Sequence, residues 1–156
     1  MKSFILILTA GLILSASAQA QKKHVQKKKS TVVVKVKVPQ NIDSSFKIQY
    51  ASVADGKWSK NYSGNYVADF TNQTSMKQSV EYDKAGYVIK TKTFFDSSAI
   101  PMNVTTALQK NYSTAKVTEV AKVEIPGVAP YYMVNLWTAE NKKRQLLISE
   151  EGTVSE

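Results

Sequence analysis

The chain contains no cysteine and a single histidine among 156 residues. Without cysteine there are no disulfides, no thiol nucleophile and no thiolate metal site, so packing alone must hold the fold together. The lone histidine, His24, sits in a lysine-rich stretch (KKHVQKKK). Nothing marks a nucleophile elbow elsewhere or gives a serine or threonine a histidine partner, so nucleophilic catalysis of the triad kind has no carrier. Carboxylates are scattered: Asp83 lies in DKAG and Glu150 and Glu151 in EEG. These are turn sequences whose acids act as caps, and neither supplies the closely spaced oxygen ligands of a calcium loop. The expectation is a protein that is not an enzyme and carries no cofactor and no metal.

Long apolar runs are equally scarce. The one present spans residues 4–14, broken only by Thr9 and Gly11, behind Lys2 and ahead of Ala18-Gln19-Ala20. A short basic start, an apolar run too short to span a bilayer and a small-x-small site together read as a signal peptide over residues 1–20, cleaved near Ala20. Lys22, Lys23, Lys27, Lys28 and Lys29 follow directly, and a basic cluster there favours retention on the cytoplasmic side, the one feature pointing to an uncleaved anchor. The balance gives a periplasmic or secreted protein.

Negative charge is missing from the whole first quarter. The formal net charge of +9 comes mainly from residues 21–37, which hold seven lysines and no acid; residues 38–156 carry 13 basic and 12 acidic side chains. The globular part is therefore nearly neutral. Residues 21–30 read as a basic, disordered arm that keeps the domain soluble, or that touches anionic envelope polymer or membrane through Lys22, Lys23, Lys27, Lys28 and Lys29. A basic run without interleaved aromatics carries no specificity for nucleic acid.

What the sequence does have is repetition. VPQNIDSSF at 38–46 returns as IPMNVTTAL at 100–108, a spacing of 62 residues. NYVADF at 65–70 then aligns with YYMVNL at 131–136, and QSVEYDKAGYV at 78–88 with RQLLISEEGTV at 144–154, at a spacing of 66. The change in spacing places a four-residue insertion in the second copy around IPGVAP, residues 125–130. Ile42, Phe46 and Tyr50, and Val104, Leu108 and Tyr112, recur every fourth position after a proline, which predicts amphipathic helices over 40–50 and 102–112. Gly86 and Gly152 fall in register at hairpin turns that demand positive φ. Val32, Val34, Val36 and Val38 alternate with lysines, predicting an edge strand over 31–38 that Pro39 ends.

Alternation also assigns strand faces. Tyr66, Ala68, Phe70, Val80 and Tyr82 match Tyr132, Val134, Leu136, Leu146 and Ile148, and these are expected to face the helices. The opposite face is largely polar in the first copy, with Val67, Asp69, Lys77, Ser79 and Glu81. In the second it offers Tyr131, Met133, Asn135 and Trp137, with Leu147 on a neighbouring strand. An exposed aromatic and methionine patch of this kind suits protein recognition; the alternatives are cover by the N-terminal strand, by a loop or by a dimer partner.

The repeated Val/Ile-Pro-x-Asn-Ile/Val, the helices ending in Tyr50 and Tyr112, the Tyr-x-x-x-Phe/Leu strands and the glycine turns resemble the PepSY-like family of secreted bacterial proteins. That family is also described as similar to β-lactamase inhibitor protein. The resemblance covers residues 36 to 156. It implies an α+β fold of two tandem repeats, each one helix plus three to four antiparallel strands, forming one curved antiparallel sheet with helices packed on one face. It also implies a non-enzymatic binding or inhibitory role. Two departures matter: the inhibitor protein's disulfides have no counterpart here, and the last strand of the second copy is very short. No inhibitory contact residue and no β-lactamase target is carried over.

Residues 31–97 are thus expected to form the N-terminal strand and first repeat, and residues 98–156 the second. The function expected is protein binding in the envelope or outside the cell through Tyr131, Met133, Trp137 and Leu147, with inhibition of an extracytoplasmic enzyme as its sharper form. The alternative is attachment to an anionic envelope surface through the lysine arm. A homodimer through the aromatic face is a third reading.

Overall fold

The computed structural model describes residues 36–53 and 56–155. In chain order they form α1 (Gln40–Gln49), β1 (Lys57–Lys60), β2 (Tyr66–Thr71), β3 (Lys77–Tyr82) and β4 (Val88–Phe95), a single 3-10 turn (Ser97–Ala99), then α2 (Met102–Tyr112), β5 (Lys116–Ile125), β6 (Val128–Trp137), β7 (Lys143–Ser149) and β8 (Val154–Ser155). The eight strands make one sheet in sequence order, each antiparallel to its neighbours. The expected α+β class is observed. No described helix is long and apolar enough to cross a membrane.

Both helices begin directly after the prolines of the repeated phrase. Pro39 and Pro101 combine a proline-fixed φ with extended ψ, so each caps its helix from one residue outside the first turn. The Pro39 carbonyl accepts from the N–H groups of Ile42 and Asp43 at 3.1 and 3.0 Å. The asparagine two residues on has a separate task. Asn41 Nδ2 donates to the Ala85 carbonyl at 2.9 Å, in the turn joining β3 and β4. Asn103 Nδ2 donates to the Glu150 carbonyl, in the turn joining β7 and β8. Each asparagine thus ties the start of a helix to a hairpin tip.

Those tips contain the two aligned glycines, at φ +95° for Gly86 and +89° for Gly152. Both need glycine for two reasons, the left-handed backbone and the close approach of the helix. A Cβ on Gly86 would lie 3.3 Å from Asn41 Nδ2 and from Ser45 Oγ; one on Gly152 would lie 3.4 Å from the Asn103 carbonyl oxygen. Asp83 shapes its turn as expected of a cap: its Oδ1 accepts from the N–H groups of Ala85 and Tyr87, each at 2.9 Å.

The core is two clusters on one face of the sheet. Ile42 and Phe46 of α1 pack on Tyr66, Ala68, Phe70, Val80 and Tyr82. Val104, Ala107 and Leu108 of α2 pack on Val120, Tyr132, Val134, Leu136, Leu146 and Ile148. The ladder proves that both lie on the same side: Val80 pairs with Thr91, and four residues further along β4 Phe95 pairs with Val120. All ten strand residues assigned by alternation to the helix side are buried. Trp58 of β1 joins the first cluster as well, its ring 5.3 Å from that of Phe46 in an edge-on contact. Tyr82 is fully buried, and its hydroxyl has no hydrogen-bond partner among the described residues.

The expected edge strand is not observed over its described part. Val36 and Val38 are half-buried coil packed against the first cluster, and neither pairs with a strand. Their apolar faces are satisfied by the helix-side core, not by a ladder. Residues 31–35, the expected signal peptide over 1–20, and the arm with Lys22, Lys23, Lys27, Lys28 and Lys29 lie outside the described residues. The hairpin around IPGVAP is long: β5 and β6 have 10 residues each, against 4 and 6 in β1 and β2.

Candidate binding face

The face turned away from the helices carries a third apolar cluster. Ala121, Val123 and Met133 are buried there, with Phe94, Ile125 and Tyr131 packed around them. Every one of these residues belongs to β4, β5 or β6, and neither helix contributes. Ladder pairs explain the arrangement. Ala121 stands between Phe94 and Met133, Val123 between Lys92 and Tyr131, and Met133 is followed by Leu147 on β7. The patch therefore lies across the middle of the sheet, where β4 meets β5.

The four residues expected to form this surface are all on the face, but not all at its surface. Leu147 is 38 % exposed, while Tyr131 and Trp137 are half-buried. Met133 is buried at 8 % exposure, against the expectation of an exposed methionine. Its neighbours Ala121 and Leu147 flank it in the ladder, and the Lys92 ammonium reaches its sulfur at 4.0 Å. Met133 thus floors the patch beneath its more exposed neighbours. Phe94 and Lys92 are members the sequence reading missed; their signal was the alternation Lys90, Lys92, Phe94 along β4, on the same face as Ala121 and Val123.

Trp137 stands apart at one end of the face. It pairs with Lys116 on one side and Lys143 on the other, and the Lys143 ammonium lies 4.9 Å from its ring centroid, a cation–π contact. Beside it runs a polar ladder in which Gln145 Nε2 donates to Asn135 Oδ1 and Asn135 Nδ2 donates to Glu119 Oε1, both at 2.9 Å. Trp137, Asn135, Lys143, Gln145 and Thr118 line a recess of about 530 Å³. A second recess, about 830 Å³, takes Lys57, Asp69, Lys77, Phe94 and Glu119 from this face. Phe94 thus edges one hollow and Trp137 another, with the apolar patch near both.

Charge on the face is sorted by partner. Glu81 accepts from Lys90 at 2.9 Å, from Asn65 at 2.8 Å and from Asn61 at 2.6 Å. Partial burial alone would raise its carboxyl, but these three donors outweigh burial and hold it below its ordinary value. Glu119 accepts from Asn135, and Asp69 stands opposite Lys57 in the ladder. The lysines Lys77, Lys92, Lys116 and Lys143 have no carboxylate partner among the described residues. Glu119 and Asp69 likewise have no ion-pair partner among the described residues, and the face is positive in net number, with Lys57, Lys77, Lys90, Lys92, Lys116 and Lys143 against Asp69, Glu81 and Glu119.

No family model matches the chain, and a search of curated proteins finds no match. Solved structures do match. A protein from Bacteroides eggerthii, provisionally described as periplasmic, superposes with a TM-score of 0.70 at 22 % identity over 78 % of this chain and 88 % of its own. A DUF2874 family protein from Bacteroides uniformis gives a TM-score of 0.70 at 23 % identity over 77 % and 88 %. A BLIP-like protein from Bacteroides fragilis gives 0.68 at 25 % identity over 78 % and 85 %. The eight-stranded antiparallel sheet with two helices on one side is thus a fold this chain shares with a BLIP-like protein.

Proposed function

We propose that this chain is a non-enzymatic protein-binding module of the periplasm or cell exterior, PepSY-like in build, made of two copies of a helix-plus-four-strand unit. Its partner docks on the sheet face opposite the helices, around Tyr131, Leu147, Trp137 and Phe94. One observation carries the reading: a third apolar cluster lies on the face that neither helix packs. An apolar patch rimmed by polar side chains on an otherwise solvated sheet is the ordinary signature of a recognition surface. The fold likeness to a BLIP-like protein and the provisional periplasmic description of a relative support the same reading, and inhibition of an extracytoplasmic enzyme is its sharper form. Capture of envelope proteins on immobilised protein, compared with a Leu147→Asp, Trp137→Ala variant of equal stability, tests it. The variant is expected to lose the partners that wild type retains; identical retention overturns the proposal.

A second reading rests on the charge distribution of the sequence, in which residues 21–37 hold seven lysines and no acid. The arm attaches the protein to anionic polymer or membrane surface, without selectivity for nucleic acid. Deleting residues 21–30 is expected to abolish salt-sensitive binding to anionic vesicles while leaving partner capture intact.

A further inference from the structure

Lys92 is the unusual residue of the open face. It projects from the middle of β4, half-buried, with Val123 beside it in the ladder and Tyr131 next beyond. Its ammonium reaches only the Met133 sulfur, at 4.0 Å, and no carboxylate pairs with it among the described residues. A thioether is a weak acceptor, so the ammonium stands beside the apolar patch, with Ser79 on its other side, and has no strong protein acceptor among the described residues. Neither neighbouring carboxylate pairs with it: Glu81 is held by Lys90 and two asparagines, and Glu119, which accepts from Asn135, lies beyond ion-pair distance of Lys92. Lys77, Lys116 and Lys143 lie around the patch as well and outnumber Asp69 and Glu119, the two carboxylates of the face without an ion-pair partner among the described residues.

Resting on the proposed protein-binding face, we infer that the segment received there is acidic, presenting an aspartate or glutamate side chain to Lys92 with apolar residues beside it against Phe94, Tyr131 and Leu147. The carboxylate supplies the acceptor that Met133 does not, in surroundings where water competes poorly and a charge-assisted hydrogen bond is strongest. The outer lysines steer an acidic partner inward, and this contribution weakens with salt. The apolar neighbours supply the area, and the Lys92 pair supplies register.

The test is selection of binders from a displayed library of random peptides on immobilised protein, with synthetic copies of the selected peptides used for affinity. Selected peptides are expected to carry an acid flanked by apolar residues. They should bind Lys92→Gln about tenfold or more weaker, a loss typical of truncating one side of a desolvated charge pair, and Lys110→Gln, on α2, as tightly as wild type. Exchanging the peptide's acid for lysine should restore binding to Lys92→Glu, a rescue that a merely structural role of Lys92 does not produce. Peptides that lose affinity for Tyr131→Ala and Leu147→Asp but not for Lys92→Gln would leave the face standing and overturn the acidic partner. Binders indifferent to all three variants, or no binders, would overturn both. Lys92-dependent binding of a soluble polyuronate, with no acidic peptides selected, would assign the site to anionic polymer and overturn the inference.

Discussion

Replacing Gly86 with alanine isolates the contact that links each helix to its hairpin. Gly86 sits at φ +95°, and an added Cβ would come within 3.3 Å of Asn41 Nδ2 and Ser45 Oγ. The left-handed backbone alone costs an L-residue about 1–2 kcal/mol. Relief of the clash moves the turn from α1 and weakens the hydrogen bond from Asn41 to the Ala85 carbonyl, worth about 0.5–1.5 kcal/mol. The sum is about 1.5–3.5 kcal/mol. Gly127 is the control: its φ is +78° and nothing lies within 4 Å of an added Cβ, so Gly127→Ala should show the backbone term alone. Urea denaturation at unchanged m-value reads both. Because the clash and the hydrogen bond share Asn41, the Asn41→Ala, Gly86→Ala double variant should cost less than its two parents together. Additivity within about 0.5 kcal/mol, or equal costs for Gly86→Ala and Gly127→Ala, would refute the tie.

Leu136, 2 % exposed beneath α2, should cost about 2–5 kcal/mol when truncated to alanine, whereas Leu147→Asp on the open face should leave the urea midpoint nearly unchanged. Tyr82→Phe removes a buried hydroxyl with no described partner and should be neutral or stabilise by up to about 1 kcal/mol; a loss larger than that would mean the hydroxyl is satisfied. Glu81 is held below its ordinary carboxyl value, so it contributes stability above the unfolded-state value and loses it as pH falls through the folded one. The stability gap between wild type and Glu81→Gln should therefore be full at neutral pH, begin to shrink as pH falls through the ordinary glutamate range and be lost only below the depressed folded-state value; a gap independent of pH would remove Glu81 from the network.

Helices and core faces were legible because each is written in a local period. Ile42-Phe46 and Val104-Leu108 recur at the helical spacing, and Tyr66-Ala68-Phe70 and Tyr132-Val134-Leu136 at the strand spacing, so both turn up where expected. The repeated Pro and Gly are likewise local, a preset φ and a required one. The repeated Asn was visible but not intelligible, since its bond reaches a turn more than forty residues away. The open-face cluster was harder still. It forms because β4 pairs with β5 and brings Phe94 against Ala121, a pairing between the two halves of the chain with no short-range signal. Met133 was assigned the correct face and the wrong depth for the same reason: its cover includes Lys92, from another hairpin. Val36 and Val38 alternate like a strand, yet the helix-side core accepts them as coil.

The central claim is that recognition happens on the face opposite the helices. A photo-crosslinking side chain installed at Leu147 on that face, and in a separate variant at Thr106 on exposed α2, tests it in cells that make the protein. Defined adducts formed from position 147 and absent from position 106 are the predicted result. Adducts from position 106 alone, or the same adducts from both, would contradict it.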